Sequence, residues 1–213
     1  MKFYRHYKNK PYKYLGVARH SETLEEMALY ETLYQNDLGK LWVRPKAMFE
    51  EGVKIDGKLQ PRFAKIPLKV EVKENFDNQD LDALKVHFKN VLSNWDQIVD
   101  LEKLKLNQEK LLLKAFVDEK LVGVLLGYRK SKELFFTCFV GVTSEFRKLG
   151  IASDLVAKQI AWCQTNAIQF VQTSIPCQQK EMLILSLREG FEITGSSSES
   201  KTNLALSLQK SLK

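Results

Sequence analysis

The sequence predicts an α+β protein with two parts, a small all-β part followed by a mixed sheet flanked by helices. Residues 1–65 consist of short, aromatic-rich runs separated by turn signals, which is typical of the strands of a small barrel. Residues 66–213 instead alternate between strand-like and helix-like runs. The 213 residues are 44% hydrophobic, which is enough to bury one or two cores. We therefore expect one domain over residues 1–65 and a second over residues 66–213.

Turn signals divide the N-terminal part into short segments. They are Lys10-Pro11, Gly39, Arg44-Pro45, Asp56-Gly57 and Gln60-Pro61. Asp-Gly between two short runs predicts a tight hairpin at residues 53–59. Residues 27–34 are ambiguous, because good helix formers and a capping-box pattern at Thr23 and Glu26 indicate a helix, whereas the surrounding runs favour strands.

The C-terminal part begins with an alternating run at residues 67–73, which predicts a strand. Apolar residues then recur at helical spacing over residues 81–94 and again over residues 98–104, so two helices are expected there. A hairpin follows, with strands at residues 111–118 and 121–130 and a turn at residues 119 and 120.

An apolar, strand-like run at residues 134–142 comes directly after this hairpin. Beyond it, the pattern predicts a helix from about residue 151, a strand at 168–175, a helix at 178–189 and a final strand at 203–208. A Gly/Ser-rich segment at residues 195–200 is expected to be the turn that joins the last two strands.

The segment V-G-V-T-S-E-F-R-K-L-G-I-A, at residues 140–152, joins the apolar strand to the following helix. Gly150 lets the backbone come close to a bulky ligand, and the first amides of the helix have no partner inside it. Free amides at a helix N-terminus attract anions. Arg147 and Lys148 add two positive charges, which suits a pyrophosphate better than a single carboxylate.

Two motifs of the C-terminal part resemble the GNAT family of N-acetyltransferases. R-K-L-G-I-A at residues 147–152 is similar to the family's pyrophosphate loop, and M-L-I-L-S-L-R-E-G-F-E-I-T-G at 182–195 is similar to its helix ending in G-F. The resemblance extends from Ile66 to the C-terminus and implies a GNAT-type mixed β-sheet flanked by helices. It also implies acetyl-CoA as cosubstrate, bound by Phe139, Val140, Val142, Arg147, Lys148, Leu149, Gly150, Ile151 and Ala152.

The resemblance implies direct transfer of an acetyl group from acetyl-CoA to a primary amine of a small-molecule or peptide acceptor. A backbone N–H near Val140 is the implied oxyanion donor. Many members place a tyrosine, as general acid, four residues before the G-F glycine, and this chain has Ser186 there. Tyr128 or water can supply the proton instead. Among the acidic residues flanking the central strand, Glu133 is the first choice of base over Glu145, and a water chain is equally favoured.

The serine at position 186 leaves a second class of function open. The alternative is a coenzyme A-binding recognition or sensor protein without turnover. The acceptor itself is not identified, because the segment over residues 81–104 corresponds to the part of the family that shapes the acceptor site and differs most between members.

The N-terminal part carries the motifs Y-R-H-Y-K, G-V-A-R-H-S-E-T, L-W-V-R-P and P-R-F. They resemble a small bacterial domain family of unknown function, whose members are similar to SH3-like β-barrels. The resemblance implies a strand at residues 27–34 and brings no chemistry with it. A candidate binding face comprises His6, Arg19, His20, Trp42, Arg44 and Arg62. The favoured interpretation is nevertheless a barrel core with a solvated charged rim.

The formal charge of +7 is concentrated at the N-terminus. Residues 1–66 hold 13 basic and 8 acidic residues, a net of +5, whereas residues 67–213 hold 20 and 18, a net of +2. A solvated basic surface is the favoured explanation, and nucleic acid is the alternative partner.

The remaining sequence features favour the cytoplasm, and the resemblance of the N-terminal part to a bacterial domain family implies a bacterial protein. No apolar run approaches the roughly 20 residues that span a bilayer, and no signal region follows the first residues, so no membrane association is expected. The cysteines lack paired or metal-like spacing and the histidines lack partners at ligand spacing. We expect neither a disulfide nor a metal, and the oligomeric state stays open.

Overall fold

The computed structural model describes residues 3–88, 104, 109–198 and 204–212. The chain separates into two compact units. The N-terminal unit contains residues Met1–Lys69 and Val117–Lys120, and the C-terminal unit contains Val70–Phe116 and Leu121–Lys213. Within the described ranges, no helix is both long and apolar enough to cross a membrane.

Short strands make up most of the N-terminal unit. They are β1 (Phe3–His6), β2 (Lys10–Arg19), β3 (Glu26–Thr32), β4 (Leu41–Pro45), β5 (Gly52–Ile55), β6 (Lys58–Pro61) and β7 (Phe63–Ile66), and helix α1 (Lys46–Glu50) lies between β4 and β5. Five of them form an antiparallel sheet in the order β4-β3-β2-β1-β7, and β5 pairs with β6 in a separate hairpin. Among the described residues, β4 and β7 remain edge strands. The expected SH3-like barrel is therefore not found as a closed barrel.

The ambiguous residues 27–34 fall largely in strand β3, so their local helix propensity is overridden. Burial explains why. Ala28, Tyr30 and Thr32 are buried while the residues between them are more exposed, which is the two-residue period of a strand with one face on a core. The predicted hairpin is confirmed, because Asp56 and Gly57 both have positive φ between β5 and β6.

One face of the five-stranded sheet is aromatic. Residues paired directly across neighbouring strands share a face, and the register therefore gathers Tyr4, Tyr12, Tyr14, Tyr30, Trp42 and Phe63 on this aromatic face. Phe49 of α1 packs on it, with its ring stacked 4.1 Å from that of Phe63. The core of this unit is thus built almost entirely from rings.

The C-terminal unit is a sheet with helices. Its strands are β8 (Leu68–Glu74), β9 (Lys110–Val117), β10 (Lys120–Arg129), β11 (Leu134–Val142), β12 (Phe170–Pro176), β13 (Glu192–Ser198) and β14 (Leu204–Ser211). Its helices are α2 (Asn78–Phe88), a 3-10 turn (Ser144–Phe146), α3 (Ile151–Thr165) and α4 (Lys180–Arg188). The seven strands lie in the order β13-β14-β12-β11-β10-β9-β8, and β11 pairs in parallel with β12. This is the mixed sheet expected from the sequence.

Two predicted turns are displaced in the structure. The β9–β10 hairpin turns at Asp118 and Glu119, which both have positive φ, one residue earlier than predicted. The Gly/Ser-rich segment is not a turn as far as Ser198, because β13 remains paired with β14 up to that residue. The predicted second helix, at residues 98–104, lies outside the described residues except for Leu104. Leu104 is fully buried.

Two glycines shape the middle of the sheet. The β10–β11 register shifts between Leu126 and Gly127, which leaves Cys138 as the extra residue of a β-bulge. A Cβ at Gly127 would lie 2.3 Å from the Phe135 ring, and a Cβ at Gly141 would lie 2.4 Å from the Phe139 ring. At both positions, the absence of a side chain therefore leaves room for an aromatic ring.

Candidate active site

Strands β11 and β12 pair over only part of their length. The parallel register runs from Leu134 opposite Phe170 to Thr137 opposite Thr173 and then stops. At that point the Thr173 hydroxyl donates to the Thr137 carbonyl at 3.1 Å. Beyond it, β12 continues to pair with β14 through Pro176, while β11 continues to pair with β10 through Val142. The two central strands therefore separate beyond this point.

The backbone of β11 faces this gap at alternate residues. The Thr143 N–H donates to the Val122 carbonyl of β10 at 2.9 Å, so Gly141, two residues earlier, also directs its backbone groups towards β10. Val140 and Val142 then direct theirs to the opposite side, into the gap. The implied oxyanion donor, the Val140 N–H, is consequently on the correct edge of the strand.

The turn at residues 147–152, called the anion turn below, follows the gap. Its first helical hydrogen bond runs from Asp154 N to Gly150 O at 2.9 Å, so the earlier amides at residues 151–153 have no acceptor inside α3. Gly150 itself has φ 69° and no side-chain cap. The helix therefore begins with free donors, as an anion site requires.

Buried side chains hold the anion turn in place. Phe146, Leu149 and Ile151 are all nearly inaccessible to solvent. The polar contacts are looser: Arg147 Nε donates to the Val142 carbonyl at 3.1 Å, and Lys148 Nζ lies 3.5 Å from Glu181 Oε1 in an exposed pair. The first contact ties the turn to the gap, and the second brings the start of α4 beside it.

The three candidate catalytic residues do not all come together. Ser186 is buried in α4, the helix whose first turn meets Lys148. Tyr128 is buried in a core cluster that also includes Phe139. Glu133 precedes β11, where its side chain accepts from Gln169 Nε2 at 3.2 Å. Seven residues of extended strand, about 23 Å, separate it from Val140, so the structure does not bring Glu133 to the gap.

A buried polar pair near the gap was missed by the sequence analysis. Gln159 of α3 is fully buried, and its Nε2 donates to Thr137 Oγ1 at 2.7 Å. The sequence signal for this burial is the spacing of Gln159, four residues after Leu155 and four before Cys163, both of which are fully buried.

Burial also raises the pKa of the Cys163 thiol to about 12.

Residues of the N-terminal candidate face are only partly brought together. Arg44 shares the aromatic face through its pairing with Ala28, and His6 through its pairing with Phe63. His20 instead lies in the exposed turn after β2, where its Nδ1 accepts from the amides of Glu22 and Thr23 at 3.3 Å. Groups of His, Cys, Asp and Glu that could hold a metal are absent from the residues described by the structure.

Comparison with known families agrees with this architecture. Residues 78–180 match the profile described as the acetyltransferase (GNAT) family, and residues 2–65 match that of a protein of unknown function, DUF1653. No curated protein sequence matches the chain.

Solved structures share the fold at low identity. An acetyltransferase of the GNAT family from Streptococcus pneumoniae superposes with a TM-score of 0.53 at 17% identity, covering 68% of this chain and all of the other. The aminoglycoside 6'-N-acetyltransferase from Enterococcus faecium gives 0.52 at 13% identity, covering 67% of this chain and 97% of its own. At sequence identities this low, the similarity shows a shared fold and nothing more.

The matched profile identifies residues 78–180 as a GNAT acetyltransferase domain, and the mixed sheet agrees with it. The chain as a whole joins this domain to a preceding DUF1653 domain.

Proposed function

We propose that the chain is an acetyl-CoA-dependent N-acetyltransferase that moves an acetyl group directly to a primary amine. The observation that carries this proposal is the continuity of the strand gap with the anion turn. Val140 and Val142 present backbone groups to the gap, and Arg147 links Val142 to the free amides at the start of α3.

These residues fit the shape and charge of acetyl-CoA. The free amides of Ile151 and Ala152, together with Arg147 and Lys148, suit its pyrophosphate. The exposed edge of β11 suits its amide-containing arm, because a strand edge offers alternating donors and acceptors. We therefore assign the pyrophosphate to residues 148–152 and the arm to the edge at residues 139–142.

The chain's own groups then determine what happens at the acetyl group. Bound acetyl-CoA supplies an activated acetyl thioester. The Val140 N–H can stabilise negative charge that develops on the carbonyl oxygen. Ser186 can hydrogen-bond the sulfur, but an aliphatic hydroxyl is a poor acid, so water or Tyr128 delivers the proton. Because Glu133 precedes β11 and lies seven residues from Val140, we assign removal of the amine proton to water.

A coenzyme A-binding sensor without turnover is the second candidate, and Ser186 favours it. Tyrosine is the acid that many members of this family carry at this position, and a buried serine cannot replace its proton-donating ability. Both candidates use the same binding residues. They differ only in whether acetyl transfer follows binding.

Thiol release from acetyl-CoA separates the two candidates. We expect the wild-type protein to release thiol over time with at least one member of a panel of polyamines, amino acids and peptide N-termini, and mass spectrometry should find the acetylated amine. Gly150→Asp, which places a negative charge in the anion turn, serves as the control and should show only the amine-free rate. Binding of acetyl-CoA by calorimetry without release for any amine would favour the sensor.

A further inference from the structure

Arg44 reaches into the aromatic face of the N-terminal unit. Its guanidinium carbon lies 5.6 Å from the centroid of the Phe63 ring, and the His6 ring lies 4.8 Å from the same centroid. Burial raises the pKa of the Tyr30 phenol, which is almost fully buried, and the charge of Arg44 opposes that rise. Arg44, His6 and Tyr30 therefore converge on one buried ring, in surroundings that offer little water.

Within the part of the chain that the structure describes, the charge of Arg44 is not neutralised. Among the described residues, no carboxylate lies within ion-pair distance of it, and its Nη1 atom is buried without a hydrogen-bond partner. The neighbouring arginine differs, because Arg62 Nε donates to Glu51 Oε1 at 2.7 Å. A guanidinium nitrogen that is buried without an acceptor is costly to keep, and an anion from outside would offset that cost.

His6 is poised as a neutral donor beside this cation. Its Nδ1 accepts from the Lys8 amide at 3.3 Å, so the proton of the neutral ring is on Nε2. Burial, and then the charges of Arg44, Arg62 and Lys8, lower the pKa of His6 to about 4. The imidazole is thus uncharged at neutral pH, and its Nε2–H can donate to an acceptor.

We infer that the DUF1653 domain binds an oxyanion, a carboxylate or a phosphate, at Arg44, with the Nε2–H of His6 as a second donor. The planar guanidinium fork matches the paired oxygens of either group. The aromatic rings around it exclude water and strengthen the contact. This function belongs to the N-terminal unit and is independent of acetyl transfer.

Histidine ring signals in NMR spectra of the full chain report on this site. Sodium phosphate and sodium acetate, each titrated at constant ionic strength with sodium chloride, are the probes. We expect a saturable shift of the His6 Cε1–H signal with at least one probe and no such shift for His20, which lies in the exposed turn. At saturation the pKa of His6 should rise from about 4, because a nearby anion favours the imidazolium.

Variants of Arg44 test whether this residue binds the phosphate or acetate probe. Arg44→Lys keeps the charge but loses the fork, and should weaken the affinity for the effective probe by about tenfold. Arg44→Gln should abolish saturation, and Lys58→Gln, in the exposed strand β6, should bind as the wild type does. A His6 signal that never saturates with either probe, or that saturates equally in wild type and Arg44→Gln, would overturn the inference.

Discussion

Single residues in left-handed conformations determine the shape of the anion turn. Lys148 and Gly150 have φ values of 60° and 69°, with Leu149 between them. For a lysine, this conformation costs on the order of 1–3 kcal/mol, which surrounding structure must offset. The burial of Leu149 and Ile151 supplies that offset and fixes the direction of the amides that follow. The turn is therefore built before any ligand arrives.

An isosteric pair at Gly150 tests the anion turn by charge alone. Asn and Asp tolerate the left-handed region similarly, so Gly150→Asn and Gly150→Asp carry similar backbone strain. We expect Gly150→Asp to bind acetyl-CoA at least about tenfold more weakly than Gly150→Asn, because its carboxylate repels the pyrophosphate. Calorimetry measures both affinities. Equal affinities would show that the pyrophosphate does not bind at this turn.

Ser186 tests the route of the proton. If water or Tyr128 protonates the leaving thiolate, Ser186→Ala should lower turnover by no more than about tenfold, or 1.4 kcal/mol of transition-state stabilisation. Steady-state rates with an identified amine, together with acetyl-CoA affinity by calorimetry, measure the effect. A loss greater than about a thousandfold with unchanged affinity would instead identify the serine hydroxyl as the essential acid.

Among the structural elements, α3 and β11 are joined by a polar contact inside an apolar core. The amide of Gln159 and the hydroxyl of Thr137 each donate to the other, at 2.7 Å and 3.1 Å. The Thr137 carbonyl also accepts from Thr173. Thr137 is the last β11 residue that pairs with β12, so this contact holds the helix that carries the anion turn to the point where the strands separate.

A double-mutant cycle measures the strength of this contact. Gln159→Leu leaves the Thr137 hydroxyl buried without its partner, and should destabilise the C-terminal domain by about 1–3 kcal/mol. Adding Thr137→Val removes the stranded hydroxyl, and should recover part of that loss. Urea unfolding followed by tryptophan fluorescence, which includes Trp162 of α3, gives each free energy. Strictly additive losses would mean that the two side chains do not stabilise one another.

For the molecule as a whole, the two units differ in how they build a core. The N-terminal unit packs rings on one face of a small antiparallel sheet. The C-terminal unit packs aliphatic and aromatic side chains on a seven-stranded sheet. Each unit has its own buried cluster, which is what independently folding domains require.

Truncation tests this independence. We propose that residues 67–213, expressed alone, fold and bind acetyl-CoA with the affinity of the full chain, because the gap and the anion turn lie entirely within them. Circular dichroism checks folding and calorimetry checks binding, with the full chain as the control. A folded fragment that does not bind would mean that the N-terminal domain contributes to the cofactor site.

Local patterns predicted those parts of the fold that depend on neighbours in sequence. The strand at residues 134–142 has the predicted bounds, and α3 begins at Ile151 after Gly150, because alternation and turn chemistry act over a few residues. The bulge at Cys138 and the pairing of Gln159 with Thr137 depend on partners far along the chain, which a single sequence does not display.

The candidate site likewise combines features that depend on neighbours in sequence with features that depend on the fold. The anion turn was predictable because its glycine, cations and helix start lie within six residues. The choice of Glu133 as base did not take account of strand length, since seven extended residues separate it from Val140. Residue type alone puts Arg44 in a candidate binding face, and only the fold reveals that it has no carboxylate beside it among the described residues.

The separation of β11 from β12 also has a kinetic signature at single amides. On β11, the Gly141 and Thr143 N–H groups are held by β10, whereas those of Val140 and Val142 face the gap. Hydrogen–deuterium exchange should therefore alternate along one strand in the free protein, slow at residues 141 and 143 and fast at 140 and 142. Saturating acetyl-CoA should slow exchange at Val140, because its N–H then has an acceptor. Uniformly slow exchange in the free protein would mean that the gap is closed in solution.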